Sequence, residues 1–265
     1  MKSIRSRVRA GDILLGCFLN LGSSLTAEIV GDAGFDWVLL DLEHGVGTER
    51  ELLHQLQALE HTPAAAIVRV ESNDRPRFHR TLDLGAHGIM VPRVDTPTQA
   101  EQAIASIRFP PMGIRGVATL SRAGGFGTRT SAYFAKAKDD ILGIVQIESK
   151  ESLQHLDAIA AIEGVDVLFI GPSDLTQSLG IPGQIDSPQF LDAVRLTAEA
   201  TARHGKASGI LLRCPEDLPR FRQMGFTFLA CGSDGGLITR GAQTLVADLR
   251  NAIQPDAPSR SDVFR

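Results

Sequence analysis

Leu142-Gly143-Ile144-Val145-Gln146-Ile147-Glu148 is a short apolar run that ends in two polar residues of the same parity. Ser149 follows as a cap, Lys150–Ile162 has helical spacing, Gly164 closes it, and Val165-Asp166-Val167-Leu168-Phe169-Ile170 is a second apolar run. Strand, capped helix and strand make a βαβ unit, the connection that parallel strands require. Outward from this unit the rhythm repeats. Strands are predicted at Ile13–Phe18, Trp37–Asp41, Ala66–Val70, Gly88–Val91, Leu142–Glu148, Val165–Ile170, Ala207–Leu212 and Thr227–Cys231. Helices are predicted at Ser24–Ala33, Thr48–Glu60, Arg75–Gly85, Thr96–Arg108, Lys150–Ile162, Ser187–His204, Pro215–Met224 and Leu237–Ile253.

Near-continuous apolar strands indicate a sheet covered on both faces. Eight βα repeats in 265 residues, at roughly 33 residues each, predict a single-domain α/β fold, the (β/α)8 TIM barrel, over residues 1–253. An open doubly wound sheet is the rival. It announces itself by a G-x-G-x-x-G turn after the first strand, and Asn20-Leu21-Gly22-Ser23 is not one. Two segments break the rhythm. The connection 109–141, with Pro110-Pro111 and Gly124-Gly125-Phe126-Gly127, is expected to be a lid or binding loop. The tail 254–265, with Pro255 and Pro258, is expected to be mobile or docked on a neighbouring subunit.

Composition narrows the function. Lys and Arg number 27 against 31 Asp and Glu, a net charge of -4, which supplies no bulk attraction to nucleic acid or anionic lipid. An aromatic share of 5% argues against a base-stacking platform. Cys17, Cys214 and Cys231 form no C-x-x-C pair, as expected of reduced thiols in a cytoplasmic protein and not of a disulfide scaffold or zinc site. Arg5, Arg7 and Arg9 ahead of Ile13-Leu14-Leu15-Gly16-Cys17 mimic a secretory leader, but Asp12 interrupts and the apolar run is too short, so a buried first strand is expected. No stretch reaches the length of a membrane span.

In a barrel of this kind the chemistry gathers at the C-terminal ends of the strands. Costly polar residues stand there: Asp41, Glu43 and His44 after strand two, Arg69 at strand three, Gln146 and Glu148 at strand five, and Asp174 after Gly171-Pro172-Ser173. Side chains alternate along a strand, so Gln146 and Glu148 point the same way. The carboxylates of Glu148 and Asp174 suit a hard divalent cation, which accepts two protein oxygens plus water and a chelating substrate. Arg69 offers a planar fork for a substrate carboxylate. His44 suits a general base, with Asp41 three residues earlier to orient its imidazole. The plainer readings are an Arg–Glu structural pair, a helix-capping Asp174 and a strand-ending His44. Gly232-Ser233-Asp234-Gly235-Gly236 resembles a phosphate-cradling loop, but an ordinary strand-to-helix turn is the favoured reading.

Phe35-Asp36-Trp37-Val38-Leu39-Leu40-Asp41-Leu42-Glu43-His44-Gly45, Val68-Arg69-Val70 and Val91-Pro92-Arg93-Val94-Asp95-Thr96 resemble segments of the HpcH/HpaI aldolase family. So do Phe109-Pro110-Pro111-Met112-Gly113-Ile114-Arg115-Gly116, Val145-Gln146-Ile147-Glu148 and Val167–Leu175, in order along nearly the whole chain. The resemblance implies a class II pyruvate aldolase that cleaves 4-hydroxy-2-oxo acids through a metal-stabilised enolate. It implies that Glu148 and Asp174 hold Mg2+, Mn2+ or Co2+, that Arg69, Gln146 and Ser173 meet the keto acid, and that His44, oriented by Asp41, moves the proton. It further implies that Asp83 reaches a neighbouring subunit's site in a homohexamer, a trimer of dimers. The family's common Asp-Gly-Glu-His reads Asp41-Leu42-Glu43-His44 here.

A Schiff-base lysine is the other solution to the same chemistry. Lys2, Lys136, Lys138, Lys150 and Lys206 are all away from inward strand ends, which disfavours it. Two alternatives stay open: a lyase acting on acyl-CoA, with a basic patch in the Arg115–Arg129 loop, and a barrel that only binds small acids.

Overall fold

The computed structural model describes residues 3–253. Eight parallel strands close into a barrel in sequence order: β1 (Leu14–Leu19), β2 (Trp37–Asp41), β3 (Ala65–Arg69), β4 (Gly88–Val91), β5 (Leu142–Ile147), β6 (Val167–Ile170), β7 (Ala207–Leu212) and β8 (Phe226–Ser233). The helices are α1 (Ile4–Arg9), α2 (Ser24–Asp32), α3 (Glu49–Leu59), α4 (Arg75–Asp83), α5 (Pro97–Ile107), α6 (Thr130–Asp140), α7 (Lys150–Gln154), α8 (Leu156–Ala161), α9 (Pro172–Ser178), α10 (Pro188–Arg203), α11 (Leu218–Gln223) and α12 (Asp234–Ile253). The predicted bounds of β2, β4 and β7 are reproduced. The tail 254–265 lies outside the described residues. No helix among the described residues is long and apolar enough to cross a membrane.

Strand alternation sorts the side chains into two layers. Leu14, Phe18, Trp37, Leu39, Ile67, Ile144, Val167, Phe169 and Phe228 fill the barrel interior. Val38, Leu40, Ala66, Val68 and Val145 face the helices. Trp37 stacks on Phe228 with ring centroids 4.1 Å apart and meets Phe169 edge-on at 6.3 Å. The indole occupies the space beside residue 16, where any side chain would strike it, so Gly16 is required there.

Three helices go beyond the predicted set. The segment read as a leader mimic is α1, whose Ile4 and Val8, one turn apart, bury against the interior cluster and close the barrel's lower end. Arg5 anchors it: Nε donates to both Asp166 oxygens at 2.9 and 2.8 Å, and Nη1 donates to the Lys138 carbonyl. A six-residue helix rich in arginine shows too little periodicity to be read in advance. The long 109–141 connection contains α6, and the turn after β6 is the helix α9. One predicted helix is two pieces, α7 and α8, broken at His155. Ser149 caps α7 as read, accepting from Ser152 N; Thr48 and Glu51 form a reciprocal capping box on α3, and Ser187 accepts from Phe190 N ahead of Pro188 on α10.

Candidate active site

On β2, β3 and β5 the inward-facing series is apolar within the barrel and polar at its upper end. Trp37 and Leu39 lead to Asp41, Ile67 to Arg69, and Leu142 and Ile144 to Gln146 and Glu148. The register pairs Asp41 directly with Arg69 across β2 and β3. These ends open on a cleft of about 410 Å³ whose lining includes Phe18, Asn20, His44, Arg69, Gln146, Ser173, Asp174, Arg213, Ser233 and Arg240.

The Arg69 fork is closed on Asp41. Nε donates to Oδ1 at 2.8 Å and Nη2 to Oδ2 at 2.7 Å, both groups buried. The expectation that this fork waits for a substrate carboxylate is therefore corrected. What faces the cleft is Nη1, 3.1 Å from Glu43 Oε2 and donating to Gln146 Oε1 at 3.4 Å. Asp41 also accepts from Asn20 Nδ2 at 2.8 Å and from the backbone N–H groups of Glu43 and His44 at 3.1 and 3.3 Å. It thus positions the 43–44 turn through the main chain and does not hold the imidazole, a second correction. The ring nitrogen Nε2 of His44 instead lies 3.7 Å from Glu43 Oε2, with the side chain 63% exposed.

Glu148 is held on both oxygens. Oε1 accepts from the Arg93 backbone N–H at 2.6 Å and Oε2 from Gln146 Nε2 at 2.9 Å. Arg93 adopts a φ of 49°, a left-handed conformation uncommon for a residue with a side chain, and in it donates to Glu148. Oε2 also fills the place that a Cβ on Gly171 would need, at 2.6 Å. Burial, then the charges of Asp174 and Glu43, push the Glu148 carboxyl up to about 7 against the Arg93 bond that favours its ionised form. Burial likewise raises Glu43. Asp174 sits exposed in the first turn of α9, where an acidic residue also favours the helix, and Ser173 stands exposed beside it.

Asp83 is not brought to this site. It ends α4, which runs from the upper end of β3 toward the start of β4, and it pairs with Arg115 Nη2 at 2.9 Å. Arg115 is itself buried over the rings of Phe109 and Tyr133, at 4.4 and 5.4 Å. Arg122 donates to Leu84 O and to Glu60. Two arginines of the supposed basic patch are thus engaged inside the chain. The glycine-rich stretch is the strand-to-helix junction itself, with Gly232 and Ser233 ending β8 and Asp234 opening α12. Asp234 is buried in it and accepts from Asn20 N and Gly235 N, both at 2.9 Å, and from Thr26 Oγ1 at 2.8 Å. Among the cleft residues there is no lysine.

Sequence reasoning gave Glu43 no role and missed Phe18, Asn20, Arg213 and Arg240. Parity could have found two of them, since Leu14, Gly16, Phe18 and Asn20 form one inward series. Arg240, on a helix beyond a turn, carried no such signal.

The profile described as HpcH/HpaI aldolase/citrate lyase matches residues 14–241. A curated relative named 5-keto-4-deoxy-D-glucarate aldolase, from Shigella boydii, is 41% identical over 241 residues, covering 91% of this chain and 93% of the relative. The crystal structure of an HpcH/HpaI aldolase/citrate lyase family protein from Burkholderia cenocepacia J2315 superposes with a TM-score of 0.89 at 34% identity, over 93% of this chain and 98% of that one. The structure of the citrate synthase SbnG gives 0.85 at 30% identity, over 94% and 98%.

Proposed function

The chain belongs to the HpcH/HpaI aldolase/citrate lyase family, and from that premise we propose a divalent-metal-dependent aldolase that reversibly cleaves a 4-hydroxy-2-oxo acid to pyruvate and an aldehyde. The observation that carries this reading is the charge at the barrel mouth. Asp41, Glu43 and Glu148 share the guanidinium of Arg69, and Asp174 adds a further negative charge to Glu148. Burial and like charge raise the Glu148 carboxyl to about 7 although the Arg69 charge acts against them.

The residues fit a hard cation. Glu148 is preset by Arg93 N, Gln146 and the Gly171 gap, and Asp174 adds a second, exposed oxygen donor. Among the described residues no three His, Cys, Asp or Glu side chains gather as a ligand set; Glu148 and Asp174 would hold such an ion, with water and substrate as its other ligands. Bound there, a divalent ion supplies Lewis-acid stabilisation to the substrate oxygen on which negative charge collects.

The chain's own groups divide the remaining work. Arg69 Nη1 and the Gln146 amide face the keto-acid head, with the guanidinium locked by Asp41 and laid over the Phe18 ring at 5.5 Å. His44, exposed at the cleft, takes the C4 hydroxyl proton, directly or through water, as the C3–C4 bond breaks. Glu43, beside the ring, stabilises the imidazolium that results. Return of a proton to C3 yields pyruvate. Asp83, remote from its own cleft, serves the site of a second copy of this chain. The copies form a homo-oligomer through α12, which exposes Leu237, Ile238, Leu245, Val246 and Leu249.

The SbnG likeness favours one other reading, a condensing enzyme that uses acyl-CoA, but Arg115 and Arg122 are engaged internally. A pyruvate-release screen over 4-hydroxy-2-oxo acids with Mg2+, Mn2+ and Co2+ tests the proposal. Release abolished by a chelator supports it. Borohydride trapping of pyruvate on a lysine contradicts it.

A further inference from the structure

His44 has no side-chain anchor outside its own turn among the described residues. Its ring is exposed, and Nε2 meets Glu43, the residue before it. The imidazole is therefore placed by the backbone of residues 42–46, which lies beyond the end of β2. That backbone is tied down along its length. Leu42 N donates to Arg69 O at 3.0 Å, Glu43 N and His44 N donate to Asp41 Oδ1, and Val46 N donates to Asn20 O at 2.9 Å. Gly45 runs so close over the same two residues that a Cβ on it would stand 2.1 Å from Asp41 O and 3.1 Å from Asn20 O.

Asn20 thus holds the turn twice, by its carbonyl to Val46 and by Nδ2 to Asp41 Oδ2 at 2.8 Å. Asn20 itself stands just past β1, whose pairing stops at Leu19 with β2 and at Phe18 with β8. What fixes it is Asp234, the first residue of α12. The Asp234 carboxylate is 1% exposed. Its Oδ1 accepts from Asn20 N and Gly235 N, both at 2.9 Å, and its Oδ2 from Thr26 Oγ1 at 2.8 Å and Leu21 N at 3.4 Å. Hydrogen bonds in place of water are what make a buried carboxylate tolerable. Here they also clamp the segment after β1 to the β8–α12 junction. One line of contacts therefore runs from Asp234 through Asn20 to Asp41 and Val46, on either side of His44.

We propose that Asp234 is a positioning residue for the proton transfer: acting through Asn20, it sets the 42–46 turn and with it the place of the His44 imidazole. This rests on the role given to His44 above. Asp234 touches neither substrate nor metal under this assignment. The glycine-rich stretch 232–236 serves the site through this carboxylate and not as a cradle for phosphate.

The test is a double-mutant cycle. Asp234→Ala, Asp234→Asn and Thr26→Val are made in the wild-type and in the His44→Ala background, and cleavage of 4-hydroxy-2-oxopentanoate and 4-hydroxy-2-oxoheptanedioate is followed with Mg2+. Asp234→Ala is expected to lower kcat about tenfold, short of the roughly 10²-fold that a 1 Å misplacement can cost, because Asp41 still holds Glu43 N and His44 N. KM and the affinity for Mn2+ stay unchanged, since Arg69, Gln146 and Glu148 keep their contacts. Asp234→Asn keeps most of the activity: its oxygen still accepts from Asn20 N and Gly235 N, and its amide donates to Thr26 Oγ1. Thr26→Val removes one donor and leaves the carboxylate; it gives a smaller loss in the same direction and carries the test where Asp234→Ala does not fold. In the His44→Ala background none of these substitutions lowers kcat further, the non-additivity of groups that act as one unit. Equal losses in both backgrounds, a KM or Mn2+ affinity that moves with kcat, a loss in Asp234→Asn as large as in Asp234→Ala, or wild-type turnover in Asp234→Ala would overturn the assignment. Wild-type turnover in His44→Ala removes His44 from the proton transfer, and this inference with it. If wild type releases no pyruvate from either acid, the aldolase reading fails and this inference fails with it.

Discussion

The carboxylate of Glu148 occupies the space of the side chain that residue 171 lacks: its Oε2 would stand 2.6 Å from a Cβ there. Gly171 has an ordinary extended backbone, φ −91° and ψ 95°, so the glycine answers to this close approach and not to a left-handed turn. Gly171→Ala is expected to leave the barrel folded and to turn Glu148 away from Gln146. Affinity for Mn2+ should fall about 10–100-fold, the range seen when a group that orients a ligand is lost. Calorimetric titration of Mn2+ into both proteins, with circular dichroism as the control for folding, checks it.

Asp41 satisfies Arg69, Asn20 and two backbone N–H groups at once. Asp41→Ala leaves a buried guanidinium held only by Glu43 and Gln146. Breaking a buried pair costs about 3–5 kcal/mol, and the remaining Glu43 contact places this one near the lower end. Urea unfolding measures that loss directly. Because the 43–44 turn is released as well, kcat should fall even where the protein is folded.

His44→Ala should lower kcat by about 10²–10⁴. Affinity for the metal should be almost unchanged, since the imidazole neighbours Glu43 and is not in contact with Glu148 or Asp174. Turnover near the wild-type level would remove His44 from the proton transfer.

His87 gives a pH dependence unconnected with the cleft. Its Nδ1 accepts from Ala66 N at 2.9 Å, and its ring is seated in a groove beside Arg122 with part of the residue open to solvent. Burial, and then the Arg122 charge, hold its pKa below the usual imidazole value. The unfolded chain takes up a proton near pH 6.5 while the folded one does not, so stability should decline as pH falls through about 6.5. His87→Gln should flatten that limb in thermal melts between pH 7 and 5.

Much of the barrel was legible because strand periodicity, caps and closing glycines all pointed to one fold. Helix α1 escaped because six residues hold too little pattern, and α6 because the Gly- and Pro-rich stretch 110–127 ahead of it obscured it. The site was legible where the chemistry rides on strand parity, as in Gln146 and Glu148. It was misread at Asp41. Closeness to His44 in sequence suggested a contact, but an inward strand residue faces its cross-strand partner, Arg69, while His44 stands beyond the strand in a turn. Asp83, which the resemblance assigns to a neighbouring subunit's site, stands at the end of α4, at the opposite end of its own barrel from the cleft.

The central claim is that Glu148 and Asp174 hold a divalent ion that makes pyruvate acidic at C3. Exchange of the pyruvate methyl protons for deuterium in D2O reads this without any knowledge of the aldehyde. The account predicts exchange with wild type and Mg2+, none after chelation, and none with Glu148→Gln at the same Mg2+ concentration. Exchange that persists in the chelated protein, or in Glu148→Gln, would contradict it.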